Sequence, residues 1–425
     1  MTDSIPGPNT TASRERFRFI PYRKRDILDM CIEHDGLPDQ QVELEQLYHM
    51  LSNIFHHEFH QSVEAMKDAY AGVDPDADTR RTNLPRISPE HNFIDLLNEL
   101  LEKANYEVIS EDDLNRAMSE SSMFNIRLHV DFDDFSEVLL FCRGVSEKKE
   151  SIKTWFGLRS KTITFSNYDR VVVYLRFKPD YQQQNGQPPA CKGDATLLKL
   201  FRNVPKADLE MLFPNTRVGM RLIDKLLIGV PALVGGGVVL STKLGASLIL
   251  LGSLIGFWAG FSSQPVELNK TSLMVLLAGL VALGGFLWKQ FSRFKNRKLS
   301  FMQALTENLY FKNLDNNTGV IHRLANDAEE EECKEALLAY YFLRVAAKPM
   351  TRETLYQTIE AWFLDRWQCA LDFEIVDALD KLIKLDLVRE SDQGLEAVDI
   401  DAALLRLDKR WDDYFDFSDS PGIPA

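Results

Sequence analysis

The spacing of apolar residues changes period several times along the chain, and each change marks an element. After Pro38-Asp39, the residues Tyr48, Leu51, Phe55, Phe59, Val63, Met66 and Tyr70 recur at three- and four-residue steps. That rhythm predicts one long amphipathic helix with all seven on its inner face. A polar loop with Pro75, Pro85 and Pro89 follows, then a helix over about Pro89–Ala104 with Ser88 as N-cap. Another helix starts after Ser110, where Ser110 and Asp113 have capping-box spacing. From Ile126 the period drops to two, with Ile126, Leu128, Val130 and Phe132 alternating. Further strands are predicted at Glu137–Cys142, Ser151–Gly157, Lys161–Phe165, Arg170–Phe177 and Ala195–Phe201, with turns at Asp133-Asp134 and Asn167–Asp169. Residues 14–215 thus read as an N-terminal α+β domain: helices plus a mostly antiparallel sheet.

The pattern then loses its polar half. Three apolar runs follow one another, at 226–242, 244–261 and 271–290. The first two together would make a helix of ~54 Å, too long for one straight crossing of a ~30 Å hydrocarbon core. Lys243 between them would be stranded mid-membrane at ~3 kcal/mol. Basic residues flank the region on both sides: Lys206, Arg217, Arg221 and Lys225 before it, Lys289, Arg293, Lys295, Arg297 and Lys298 after it. Positive flanks belong on the cytoplasmic side, which demands an even number of crossings. Residues 222–290 therefore read as a transmembrane helical hairpin, spans 244–261 and 271–290. The first run, broken by Pro231 and Gly235-Gly236-Gly237, is re-entrant; three full spans are the alternative. Gly252, Gly256 and Gly260 form a smooth helix-packing stripe, read either as hairpin packing or as self-association.

Periodicity resumes in residues 291–415. A helical stalk continues through Met302, Leu305 and Leu309. The turn-formers Leu314–Gly319 break it, and a helix covers about Val320–Val345 with the acidic run Glu329–Glu332 on it. Thr351 caps a helix over Arg352–Trp367, and another spans Phe373–Leu385. Two short strands, at Leu387–Glu390 and Leu395–Val398, flank the turn Ser391–Gly394. A helix pair followed by a hairpin is a winged-helix-like arrangement. Residues 1–13 and 416–425 read as flexible tails.

Charge sharpens this picture. The net charge is −14, and residues 300–425 hold 13 Lys+Arg against 26 Asp+Glu. Acid repels phosphate, so no nucleic-acid partner is expected for the winged-helix-like unit, whose second helix would need basic residues to read DNA. Asp372, Glu374, Asp377, Asp380 and Asp386 there outnumber Lys381 and Lys384. The five cysteines are odd in number and widely spaced, with no CxxC pair, so they read as free buried thiols. The first twelve residues have no apolar core, and no leader is expected. Residues 14–25 alternate basic and aromatic side chains, either an ordered arm or a contact to anionic lipid heads. A second basic patch surrounds Trp155-Phe156, read as a solvated hairpin or a surface contact. His56, His60 and Glu64 share a stripe of the long helix, a weak zinc candidate; no HExxH or other catalytic motif supports it, and no cofactor is expected.

Three stretches carry a resemblance: Phe201–Pro214, Asn308–Val320 and Asp327–Tyr340, joined by Arg16-Phe17-Arg18-Phe19-Ile20-Pro21. With them, residues 14–415 resemble the domain-of-unknown-function family 3754, the transmembrane protein 143-like membrane proteins. The resemblance implies a multi-pass membrane protein of undefined activity and supplies no catalytic residues. The membrane would be a bacterial inner membrane, or a mitochondrial one in a eukaryote, with both soluble domains on the cytoplasmic face. Within the motifs Pro205, Asp208, Glu210 and Pro214, and Asp315, Asn316 and Asn317, mark two bends. They read as turns that set domain angles or as a shared site. The expected function is a membrane-anchored interaction or regulatory protein with a protein partner and the bilayer as its contacts. The alternatives are an oligomeric channel or transporter and a membrane-surface metal hydrolase.

Overall fold

The structure, a computed structural model, describes residues 16–79, 92–110, 112–114, 127–154, 159–182, 193–219, 252–253, 255–259, 270–346 and 348–415. The chain divides into two units. One comprises residues 1–119, 132–209 and 312–425; the other comprises 120–131 and 210–311.

In the first unit, helix α1 (Lys24–His34) leads into α2 (Gln41–Tyr70), whose inner face buries all seven residues of the sequence rhythm. Helix α3 (Phe93–Lys103) begins later than expected. Its first turn is capped by the Asn92 side chain, which accepts from the Ile94 N–H at 3.2 Å, while the expected cap Ser88 lies outside the described residues. The Ser110 cap is present: its Oγ accepts from Asp113 N at 3.1 Å. Short strand β1 (Glu107–Val108) joins a five-stranded antiparallel sheet containing β3 (Phe135–Thr154), β4 (Arg159–Phe177), β5 (Thr196–Pro205) and β7 (Asn313–Asn316), in the order β1-β3-β4-β5-β7.

Four expected strands have merged into β3 and β4, which pair from Phe135↔Phe177 to Thr154↔Arg159. The expected turn at Asn167–Asp169 is strand instead: Asn167 is buried and pairs with Ser146 on one side and Pro205 on the other. Local turn propensity yields there to cross-strand pairing on both edges. Opposite this stretch Gly144 takes φ +73°, with Asp169 Oδ2 only 2.6 Å from where a Cβ would stand, so a side chain would not fit there. The tip at Trp155-Phe156 lies outside the described residues.

Helix α5 (Thr318–Ala346) runs through the centre of this unit, contacted by α1, α2, α3 and the sheet. After it come α6 (Arg352–Trp367), α7 (Ile375–Lys384), the hairpin β8 (Val388–Ser391) with β9 (Gly394–Ala397), and α8 (Ile400–Asp413). Thr351 caps α6, accepting from Thr354 N at 3.1 Å. Met350 bridges to Leu395 as a third, one-residue strand beside the hairpin, which completes the helix–strand–helix–helix–hairpin order of a winged helix.

In the second unit β2 (Arg127–His129) pairs antiparallel with β6 (Arg217–Gly219), and the Asn215 side chain donates to the Asp131 carbonyl at 2.7 Å. Helix α4 (Lys270–Lys312) also lies here. The expected span 271–290 is one section of a 43-residue helix that runs unbroken through Lys289, Arg293, Lys295, Arg297 and Lys298. Among the described residues no helix is long and apolar enough to cross a membrane. The expected transmembrane hairpin, the multi-pass localisation and the membrane-protein fold class are corrected accordingly, leaving an α+β fold with an antiparallel sheet. The run 226–242 and most of 244–261 lie outside the described residues.

Candidate functional site

Among the described residues, helix α5 carries the densest cluster of buried charged groups. Its sequence Asp-Ala-Glu-Glu-Glu-Glu-Cys-Lys-Glu, from Asp327 to Glu335, has the composition of a solvated face. Yet Asp327, Glu329, Glu331, Glu332, Lys334 and Glu335 are all buried. Their partners come from every surrounding element. On the sheet, Arg143 of β3 and Arg170 of β4 are direct cross-strand neighbours, a like-charge pairing that is destabilising on its own. Asp327 sits against both: Arg143 Nη1 lies 3.4 Å from it, and Arg170 donates to the same oxygen. Arg143 also donates to Glu331, and its guanidinium lies 4.5 Å from the Phe19 ring centroid and 5.7 Å from that of Tyr106.

Glu331, fully buried, is the best-served carboxylate. Besides Arg143 it accepts from Lys334 Nζ at 2.8 Å and from the Ile20 N–H at 3.0 Å. Glu329, nearer the surface, is held by Lys24 of α1 at 2.8 Å and by His56 Nδ1 of α2 at 2.9 Å. One turn further, supply runs short. Lys381 of α7 pairs with Glu332 at 3.0 Å and with Asp377 at 2.9 Å, and Glu335 receives the Asn105 amide, at 3.0 Å. Burial pushes the Glu335 carboxyl up to about 8, with Glu331 adding to the effect and Lys381 and Asn105 opposing it. Burial also works against the charge on Lys381, but Glu332, Glu335 and Asp377 more than offset it and hold this lysine above its ordinary range. One lysine among three carboxyls stays charged, and the deepest carboxyl keeps its proton.

The residues singled out from sequence fall elsewhere. Asn317 sits in a left-handed conformation, φ 48°, where Asn is tolerated. Its buried Oδ1 accepts from Tyr70 O–H at 3.0 Å and from Leu198 N at 3.2 Å, and its Nδ2 donates to Asp76. Asp315 and Asn316 pair with Leu200 and Lys199 at the edge of the sheet. Pro205 ends β5, and Asp208 is buried in the turn after it. Glu210 offers its carbonyl to Thr216 Oγ1 at 2.6 Å, and Pro214 is half-buried. Leu198, beside Asn317, lies seven residues from Pro205 along β5, about 23 Å at roughly 3.3 Å per residue. Asn317 and Pro205 therefore do not share a site.

His56 is committed to Glu329 and Glu64 to Lys67, the latter at 2.8 Å, while His60 stands exposed. Among the described residues no group of three or more His, Cys, Asp or Glu is arranged to hold a metal ion. Gly252 and Gly256 have no described atom within 4 Å of where a Cβ would stand, and Gly260 lies outside the described residues. The thiols of Cys142 and Cys333 are pushed up to about 12 by burial, far from the thiolate that a nucleophile needs. An open groove of about 270 Å³ between α2 and α3, floored by Phe59, Met66, Leu96 and Leu100, falls below the usual size of small-molecule pockets.

The sequence reading placed the acidic run on its helix but missed its partners. Arg143 follows Leu139-Leu140-Phe141-Cys142, and Arg170 precedes Val171-Val172-Val173. A cation inside an apolar strand run asks for a buried counter-charge, and that was the available signal.

Residues 168–319 match the family described as protein of unknown function (DUF3754). The match takes in most of β4, then β5, α4, β7 and the first residues of α5, so it covers Arg170 and Asn317 but stops short of Asp327–Glu335. No solved structure matches the chain.

Proposed function

We propose that this chain is an interaction or regulatory protein that docks a basic protein segment on the outward face of its winged-helix-like unit. The observation that carries this reading is the surface of α7 and the β8–β9 hairpin. Val376 is 51% exposed, Asp380 stands one turn away from it, and Asp372, Asp386 and Asp392 are exposed on the same unit beside Lys384 and Arg389, while Glu390 is held by Arg352 at 3.2 Å. An apolar contact among carboxylates fits a partner that brings an aliphatic or aromatic anchor flanked by Lys or Arg. Kinship with the transmembrane protein 143 group is proposed on the motifs at residues 16–21 and 327–340, outside the matched stretch, and adds no activity.

The test is recovery of a stoichiometric partner by full-length protein, compared with Val376→Asp and with Asp380→Lys. Recovery should fall with either substitution and with rising salt, because rim charges are screened. A wild-type preparation without partner, or one whose partner ignores both substitutions, refutes the assignment.

A further inference from the structure

Residues 17–22 lie on the body of the first unit as an extended peptide lies on a receptor. Phe17 forms a one-residue parallel bridge to Leu371, in the loop between α6 and α7: its N–H donates to the Ala370 carbonyl at 3.0 Å, and its carbonyl accepts from Asp372 N at 2.8 Å. Further along, the buried ion pair of α5 reads the main chain in both polarities. Glu331 accepts from Ile20 N–H, while Lys334 Nζ donates to the Ile20 carbonyl at 2.8 Å and to the Tyr22 carbonyl at 3.1 Å. Side chains supply the rest. Ile20 is 4% exposed, Phe19 faces Arg143, Tyr22 packs on Phe363 and Trp367, and Arg18 reaches Glu107 and Glu374.

We propose that this channel is a peptide-binding site, occupied in cis by the arm and open in trans to an extended segment of alternating basic and aromatic residues ending in Ile-Pro. Two features support exchange. The first is that the reading pair stays neutral when the arm leaves: Lys334 still holds Glu331 at 2.8 Å, and Arg143 still donates to it, so vacating the site strands no buried charge. The second is that Ile20 is the one fully buried side chain of residues 16–23: Phe17, Phe19 and Tyr22 are only half-buried, and Arg16, Arg18, Pro21 and Arg23 are exposed. Tethering raises the arm's effective concentration to about the millimolar range, which a competitor of matching pattern can overcome. Main-chain contacts supply affinity and the alternating side chains supply selectivity, as in other strand-like recognition. The site meets the docking surface proposed above only at Asp372 and Glu374, just before α7; Val376→Asp and Asp380→Lys leave the arm's contacts in place, and the N-methyl probe leaves the α7 face in place, so either assignment can fail alone.

The test uses the full-length chain and a fluorescent peptide of residues 16–23. Phe17→Ala with Ile20→Ala should weaken the cis arm and raise affinity for the labelled peptide at least tenfold over wild type. Phe19→Ala alone, a milder change, should raise it less. A scrambled peptide, and one N-methylated at Ile20 so that it cannot donate to Glu331, should each lose at least tenfold. The N-methyl probe leaves the protein untouched and so separates main-chain reading from folding. Equal binding by wild-type and arm-weakened chains that melt cooperatively, or equal binding of the N-methyl and unmodified peptides, overturns the proposal.

Discussion

Residues 327–335 and residues 372–396 are both rich in Asp and Glu, yet one stretch is buried through the middle of a domain and the other faces water. In the first, the carboxylates carry geometry. Asp327 and Glu331 neutralise two arginines that the strand register forces side by side, and they draw the sheet, the N-terminal arm and α5 together. In the second, Asp380 and Asp392 are exposed, and the apolar side of α7 does the packing through Ala378, Leu379 and Leu382. Composition alone does not separate these roles. What separates them is whether neighbouring elements bring counter-charges.

The hardest strike at this contrast is Glu331→Ala. It leaves Arg143 and Lys334 buried without their shared carboxylate and frees Ile20 N–H. Removing one partner of a buried network costs about 3–5 kcal/mol, read as a lower midpoint in urea unfolding. A loss below about 1 kcal/mol would make the buried layer no different from an exposed acidic face.

Glu335 sharpens the contrast within the buried layer itself. Its folded-state value of about 8 lies above the ordinary 4.5, so from about pH 4.5 to about pH 8 the folded chain holds a proton that the unfolded chain has released. Its contribution to stability is therefore full below pH 4.5 and is lost as pH rises to about 8, by an amount on the order of a few kcal/mol. Unfolding free energies measured between pH 5 and pH 9 should show that fall, and Glu335→Gln should remove this part of it. A wild-type profile matching Glu335→Gln would mean that Lys381 fully compensates the charge.

Asn317→Ala calibrates a buried polar hub that carries no charge. Tyr70 O–H and Leu198 N lose their acceptor, and a residue less tolerant of φ 48° replaces Asn. A loss of roughly 2–3 kcal/mol is expected, smaller than that for Glu331→Ala, measured by the same denaturation.

Much of the fold could be read from spacing alone. The face of α2, the Thr351 cap, and the helix pair with its hairpin follow from local rules that each segment satisfies by itself. What could not be read was set at a distance. Asn167–Asp169 has turn chemistry but becomes strand because Ser146 and Pro205 pair with Asn167. The acidic run was legible as helix, but its burial depends on Arg143 and Arg170, more than 150 residues away. The apolar run at 271–290 reads as a span from its hydropathy and the continuing helix was expected, yet among the described residues no helix is long and apolar enough to cross a membrane. Among the singled-out residues, Asn317 earned its prominence as a packing hub, a role that composition could not separate from a functional bend.

The smallest expected effect tests the exposed side of the contrast. Asp380 sits midway along α7 with its side chain in water, and Lys384 lies four residues on. Asp380→Lys places a like charge four residues from Lys384, a repulsion worth about 0.3–0.5 kcal/mol on a helix surface, and leaves no buried group without a partner. The urea midpoint should therefore barely move, while the charge presented to a basic partner changes by two units. Stability and recognition are predicted to come apart here, whereas at Glu331 they fall together. A loss of stability approaching that of Glu331→Ala would show that the outward carboxylates of α7 also hold the fold, and that the two acidic regions differ in exposure but not in role.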